Sequence, residues 1–206
     1  MGFYERRILP KLLEKLMSDA ETARLRKEAL APARGRVLEI GFGTGLNVPQ
    51  YPAAVTHLTG VDPNPGVEKL AKQRLAAAPI PGEFRLGPGD ASLPYENGQF
   101  DTVVTTYVLC TVGDVDRALT EIRRVLKQGG QYLLLEHGLA PDAGVQKWQT
   151  RMNGFNRVVL GGCNLNRPIA QIVTGAGFTF QTSKEFYRAD TPKLAGWTTR
   201  GVAVKN

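Results

Sequence analysis

Between residues 36 and 137 the chain alternates short β-type runs with helix-type stretches, and that alternation limits the folds open to it. The runs are RVLEI (36–40), HLTGV (57–61), EFRLG (83–87), FDTVVTT (100–106) and QYLLLEH (131–137). Residues 65–78, with Pro65 near the start, and residues 114–127, with Asp114 as N-cap and Gly129–Gly130 beyond the end, read as helices between them. Strands separated by helices of this length belong to a parallel, doubly wound α/β sheet, Rossmann-like in layout. Beyond it, 143–160 and 168–175 read as helices, and FTFQTSKEF (178–186) and WTTRGVAVK (197–205) as a terminal antiparallel pair, giving seven strands. Ahead of it, residues 3–29 read as one helix, because Ile8, Leu9, Leu12, Leu13, Leu16 and Met17 recur at three- and four-residue spacing. With 206 residues and no low-complexity linker, one domain is expected, a helical lid over 1–32 and a catalytic core over 35–206.

In an open parallel sheet the ligand sits beyond the carboxyl ends of the strands. The first run ends in EIGFGTGLN, with Gly41, Gly43 and Gly45. Glycine lets backbone amides approach a ligand and accepts positive φ. The spacing is G-x-G-x-G, not the G-x-G-x-x-G of a pyrophosphate cradle, with Leu46 where that fingerprint wants Gly or Ala. Glu39 stands beside the loop, where a carboxylate repels phosphate and attracts an ammonium. Asp62, about 20 residues on, ends the second run and suits ribose hydroxyls. Asp90 follows the third run, placed for an adenine edge, with Ala91 beside it. Three acids at consecutive strand ends suit a nucleoside with a cationic arm.

The motifs EIGFGTG, GVDPNP, GDASLPYENGQFDTVVTTYVLCTV and RVLKQGGQYLLLEHG, in that order, resemble the class I S-adenosylmethionine-dependent methyltransferases over roughly 35–205. Within that superfamily LEH, then a helix, then GGCNLNR, with FYERRILP at the start, is similar to the thiol S-methyltransferases. The bacterial phosphatidylethanolamine N-methyltransferases and the ubiquinone/menaquinone C-methyltransferases are near neighbours. The resemblance implies S-adenosylmethionine as cofactor, S-adenosylhomocysteine as product, and a small-molecule acceptor: a thiol first, otherwise a lipid headgroup amine or a quinone precursor. It implies that Gly41, Gly43 and Gly45 line the methionine portion and that Glu39 shapes the loop and orients the amino group. Asn47 and Tyr4 are assigned to the carboxylate end, Asp62 to the ribose, Pro63 and Asn64 to the adenine flank. Asp90 is assigned to the adenine amine with Ala91 packed nearby, and Thr106 and Tyr107 to the sulfonium region. Cys163 and Asn164 are assigned to the acceptor pocket.

His137, after the fifth run, is the candidate base for a thiol acceptor, since imidazole titrates near neutrality; a histidine bonding loop backbone is the alternative. Glu136 reads as structural, and Tyr107 joins His137 as a candidate catalytic group. Cys110 reads as packing in YVLC, and two cysteines and two histidines at these spacings form no zinc motif, so no metal is expected.

The net charge is +7, yet lysines and arginines are scattered and no nucleic-acid-binding motif occurs, so no nucleic-acid partner is expected. No apolar run approaches the ~20 residues of a membrane span and no signal peptide is read, so a cytoplasmic location is expected. The human thiol S-methyltransferases carry a hydrophobic N-terminal anchor, which this chain is not expected to share. Residues 3–17 place Arg6, Arg7, Lys11 and Lys15 beside an apolar face, suiting either a lid or peripheral contact with an anionic membrane. A nicotinamide oxidoreductase is disfavoured: the glycine spacing is wrong and no tyrosine has lysine four residues later. A binding module without turnover would carry the same loop and acids.

Overall fold

The computed structural model describes residues 2–88, 92–189 and 191–205. Seven strands form one sheet in the order β3-β2-β1-β4-β5-β7-β6. The strands are β1 (Gly35–Ile40), β2 (Val55–Asp62), β3 (Gly82–Leu86), β4 (Phe100–Thr106), β5 (Leu126–His137), β6 (Phe178–Tyr187) and β7 (Trp197–Lys205). β1 to β5 pair in parallel, while β7 runs antiparallel between β5 and β6. The expected fold class is the observed one.

Parallel strands covered on both faces read as apolar runs rather than alternating ones. Val37, Leu38, Glu39 and Ile40 of β1 are accordingly all buried, and Glu39 is the one charge among them. One core layer joins Leu38, Ile40, Val103 and Leu134 of the sheet to Leu119, Ile122 and Val125 of α4 (Val115–Val125). A second joins Val37, Leu58, Val104 and Leu133 to Ala71 and Leu75 of α3 (Glu68–Ala77). Asp114 caps α4 by accepting from Arg117 N. After β1 the chain moves to β2 on one side, and β4 lies on the other, so the carboxyl ends of β1 and β4 flank the switch point of the sheet.

The amino-terminal helix is not continuous. A π-helical turn (Tyr4–Ile8) leads into α1 (Leu9–Met17), and α2 (Ala20–Leu30) starts afresh after Asp19, whose side chain accepts from Thr22 N. An N-cap of this kind satisfies an orphan amide and permits a change of direction. Two further boundaries differ from expectation, and two short elements are added. α3 begins at Glu68, because Asn64 closes a turn by accepting from Gly66 N, leaving Pro65 outside the helix. Gly129 and Gly130 lie within β5, which begins at Leu126. A short α7 (Lys193–Gly196) and a 3-10 turn (Val48–Gln50) are additional. The helices at 143–160 and 168–175 are present as α5 (Ala143–Val159) and α6 (Ile169–Gly175).

The first helices cross the carboxyl edge of β1 and β2. Glu14 pairs with Arg74 of α3 and accepts from Thr44 in the glycine loop. Asn64 Nδ2 donates to Glu5 O at 2.8 Å. Leu9 presses on Gly161, where an added Cβ would come within 2.4 Å of it.

Candidate active site

The glycine loop follows β1 with Gly41, Gly43 and Gly45 all at positive φ, +68°, +54° and +85°. They differ in what surrounds them. A Cβ on Gly41 would meet Val108 Cγ2 at 2.2 Å, whereas one on Gly43 would meet nothing within 4 Å. Gly41 is required by close packing against the turn after β4, and Gly43 faces open space. The Gly43 amide donates to Asp62 Oδ2 at 2.8 Å, and Asn64 N donates to Asp62 Oδ1 at 2.8 Å. Asp62 is thereby fixed at the end of β2 and nearly buried, and burial pushes its carboxyl above the usual range. Pro63 beside it is exposed.

Glu39 does not face the ligand side alone. Both its oxygens are used inside the fold, Oε1 by Asn47 Nδ2 (2.8 Å) and Oε2 by the Tyr51 hydroxyl (2.6 Å). Burial raises its pKa to about 7. Asn47 Nδ2 also donates to Thr106 Oγ1 at 2.9 Å, and Asn47 Oδ1 accepts from Arg26 Nη1 at 2.8 Å. Four elements are thus tied together at the switch point: β1, the loop after it, the end of β4, and α2.

Tyr107 follows with φ +57°, the left-handed region that a side chain rarely adopts. Its ring lies 5.7 Å from the Arg26 guanidinium and 5.9 Å from that of Arg188. Arg26 Nε, Arg188 Nε and the Tyr107 hydroxyl are all buried without a hydrogen-bond partner among the described residues. Buried donors are normally satisfied. Two of these orphaned groups are on cations packed about the Tyr107 ring, an arrangement able to hold an anion, and Arg188 Nη2 also lies 3.6 Å from Asp19 Oδ2. Arg26, Arg188 and Tyr51 were not singled out from the sequence; Arg26 sits within a helix rich in charge, and Arg188 lies 162 residues further along.

Glu136, the penultimate residue of β5, is buried and accepts from Val108 N at 3.0 Å, holding the turn that follows β4, in line with a structural reading. His137 ends the strand. Its Nε2 lies 3.2 Å from Cys163 Sγ, and its Nδ1 is buried and unpartnered among the described residues. Burial works against imidazole protonation, while the Cys163 sulfur favours it and leaves the pKa raised overall. The Cys163 thiol itself is pushed up, first by its contact with Cys110 and then by burial. Asn164 anchors the Gly162–Asn164 loop: its N and Nδ2 both donate to Cys110 O, at 2.7 and 3.0 Å. The Tyr4 hydroxyl donates to Val159 O at the end of α5, an engagement with the protein rather than with the loop region. Asp90 and Ala91 lie outside the described residues.

The comparisons with known proteins agree on one lineage. A methyltransferase domain family matches residues 38–134. Thiol S-methyltransferase TMT1B of Homo sapiens is 33% identical over 177 residues, 84% of this chain and 72% of that protein. The chain belongs to the class I S-adenosylmethionine-dependent methyltransferases. Thiol S-methyltransferase TMT1A of Homo sapiens is 33% identical over 147 residues, 69% of this chain but 59% of the relative's length. The phosphatidylethanolamine N-methyltransferase of Cereibacter sphaeroides is 34% identical over 127 residues, 61% of this chain and 62% of the relative. A solved geranyl diphosphate methyltransferase in complex with SAM superposes with TM-score 0.72 at 17% identity, covering 100% of this chain and 92% of that one, which concerns the fold. S-adenosylmethionine is therefore the cofactor, and the residues present fit it. The open space at Gly43 admits a ligand against backbone, Asp62 offers a buried carboxylate, and the orphaned groups of Arg26, Arg188 and Tyr107 suit a carboxylate.

Proposed function

We propose that the protein transfers a methyl group from S-adenosylmethionine to a small-molecule thiol. The observation that carries this reading is the cluster at the end of β5, where His137 Nε2 meets Cys163 Sγ at 3.2 Å beside Cys110. An imidazole and two sulfurs make a polarisable pocket able to accept a thiol and part it from its proton. The two human relatives named as thiol S-methyltransferases support the same acceptor.

Bound at the switch point, the cofactor supplies a methyl group on a positively charged sulfur. The protein's own work is then to bind, align and exclude water, because methyl transfer from a sulfonium disperses charge rather than creating it. In this reading Asp62 accepts from the ribose hydroxyls, and Gly41, Gly43 and Gly45 let backbone run along the methionine portion. Arg26 and Arg188 receive the methionine carboxylate, the task sequence reasoning gave to Asn47 and Tyr4. Asn47 instead links Arg26 to Glu39, so that the cation and the acid are held apart by one amide. Asn64 holds the lid by its bond to Glu5 O and flanks the adenine. Thr106 and Tyr107 border the sulfonium region, and Cys163 and Asn164 line the acceptor side.

Release of S-adenosylhomocysteine from purified protein, measured with alkyl and aryl thiols, phosphatidylethanolamine vesicles and a phenolic ring in parallel, tests the acceptor. Turnover with thiols at least tenfold above the other two classes is expected. Turnover with vesicles alone would move the acceptor to a lipid amine, the activity in the name of the Cereibacter sphaeroides relative.

We also propose a cytoplasmic protein that touches a membrane surface. Among the described residues no helix is long and apolar enough to cross one. Phe3, Ile8, Leu13 and Leu16 of the lid are nonetheless exposed, as are Trp148, Phe155 and Val158 of α5. The Tyr4–Val159 bond brings those two segments side by side, and Arg6, Arg7, Lys11 and Lys15 lie on the lid beside them.

A further inference from the structure

Cys110, His137 and Cys163 come from three parts of the sheet edge: the turn after β4, the last residue of β5, and the loop after α5. Their ligand atoms, two Sγ and one imidazole nitrogen, all lie within 4.8 Å of one another. In a tetrahedral zinc site, Zn–S near 2.3 Å and Zn–N near 2.0–2.1 Å put sulfur and nitrogen about 3.5 Å apart. The 3.2 Å between Cys163 Sγ and His137 Nε2 is close to that edge.

The scaffold under the three groups is firm. Asn164 ties the Cys163 loop to Cys110 O through two hydrogen bonds. Arg167 Nη1 donates to the carbonyls of Leu109 and Val112, closing the turn that carries Cys110. Glu136 pins Val108 in the same turn, and Gly138 N donates to Trp197 O just past His137. Without a cation the cluster is poorly satisfied, since thiols are weak donors and weak acceptors. It is not sealed either, His137 and Cys163 each keeping 9% of their surface.

We propose that Cys110, His137 and Cys163 form a three-ligand site for a thiophilic divalent cation of the zinc class, with the fourth position open to the acceptor thiol. Cys110 and Cys163 release their protons to solvent as the cation binds, and two thiolates and one imidazole suit zinc better than magnesium or calcium, which prefer oxygen. Three protein ligands and a vacant position are the pattern of zinc sites that do chemistry, rather than of those that only brace a fold. The inference rests on the thiol reading above and says how the cluster drives loss of the thiol proton. A thiol entering the fourth position gives its proton to solvent and stays as a metal-bound thiolate. A sulfur electron pair then forms the new S–CH3 bond as the sulfonium S–CH3 bond breaks, releasing S-adenosylhomocysteine. His137 acts through Nε2 as a ligand and not as a base.

Cobalt(II) is the probe, because a thiolate-to-cobalt charge-transfer band reports sulfur ligation directly. Full-length protein, reduced with a phosphine and stripped with a chelator, is titrated with Co2+ and then with Zn2+. We expect the band to saturate at one equivalent, to vanish on zinc addition, and to fall at least fivefold in both Cys110→Ser and Cys163→Ser. His137→Gln should weaken Co2+ binding tenfold or more. Unchanged circular dichroism and S-adenosylhomocysteine affinity certify folding, and a variant that fails that check is replaced by its Ala counterpart. No band from folded wild-type protein, or one that survives in both serine variants, overturns the site. An alkanethiol should shift the visible cobalt bands; no shift overturns the open position. Thiol methylation undiminished in stripped protein overturns the metal's role and leaves S-methylation standing. A cobalt–thiolate band without thiol methylation does the reverse.

Discussion

Arg26 sits in a buried environment with one nitrogen on Asn47 and another on nothing among the described residues, 5.7 Å from a ring that a second arginine also approaches. An unpaired buried guanidinium is expensive unless a ligand anion completes it. Arg26→Lys keeps the charge but loses the planar fork. We expect it to weaken S-adenosylmethionine and S-adenosylhomocysteine binding by about tenfold, about 1.4 kcal/mol and near the low end for one hydrogen bond to a charged group, while 5′-methylthioadenosine, which lacks the carboxylate, binds as before. Equal losses for all three ligands in calorimetric titration would remove the carboxylate from this seat. Glu39 makes stability depend on pH. Its pKa rises from 4.5 to about 7 on folding, so the folded state binds more protons than the unfolded state between those values. Stability then falls as pH rises through that window, by at most about 1.4 kcal/mol per pH unit. Glu39→Gln should flatten the slope of melting temperature against pH between pH 4.5 and 7, an outcome that thermal melts read without any cofactor.

The loop after β1 and the helix ahead of it decide what an element tolerates. Gly41→Ala sets a methyl 2.2 Å from Val108 on a left-handed backbone, so both packing and φ oppose it. Gly43→Ala meets only the φ cost, about 1–2 kcal/mol. Gly41→Ala should therefore unfold several degrees earlier than Gly43→Ala, and Gly43→Ala should stay folded yet lose cofactor affinity by an order of magnitude; an unaltered affinity would mean the open side of Gly43 faces no ligand. Asp19→Ala removes the α2 N-cap, worth ~1 kcal/mol, and also frees Thr22, to which Arg188 is bonded at 2.6 Å. The sheet strands, α4 with Asp114, and the acid at the end of β2 were legible because each announces itself within a dozen residues: an apolar run, a cap, a turn. The break at Asp19 is not part of the sequence reading, because the apolar periodicity of 8–17 runs on towards it with no Gly or Pro at its end to mark a stop. The meeting of Arg26 with Arg188, and of His137 with Cys110 and Cys163, was not legible, since no local pattern records which loops share a sheet edge. Glu39 beside the glycine loop suggests a carboxylate that shapes the loop and orients an ammonium; that Asn47 and Tyr51, 8 and 12 residues on, donate to both its oxygens is not visible in the spacing.

Across the whole molecule, the proposed lid and the proposed membrane contact need not compete. One side of the amino-terminal helical segment is committed to the core through Glu14–Arg74, Asn64–Glu5 and Leu9–Gly161, which leaves its other side to solvent. There Phe3 is 75% exposed and Leu16 52%, and on neighbouring α5 Phe155 is 65% exposed. Exposed apolar side chains gathered near a cationic stretch are how an interfacial helix meets anionic lipid. A surface with net charge +7 adds long-range attraction that salt screens within a Debye length of about 8 Å at 0.15 M. Co-sedimentation with vesicles containing phosphatidylglycerol should therefore show binding at low salt, weakened severalfold at 0.5 M, and absent with neutral phosphatidylcholine alone. The double variant Leu16→Ser/Phe155→Ser should bind less well while keeping S-adenosylhomocysteine affinity, because neither side chain is buried in the core. If vesicles also raise turnover with an apolar thiol, the lid is the route by which an acceptor dissolved in lipid reaches the end of β5. If the protein stays in solution at low salt, the exposed residues are only the outer surface of a lid, and acceptors must arrive from water.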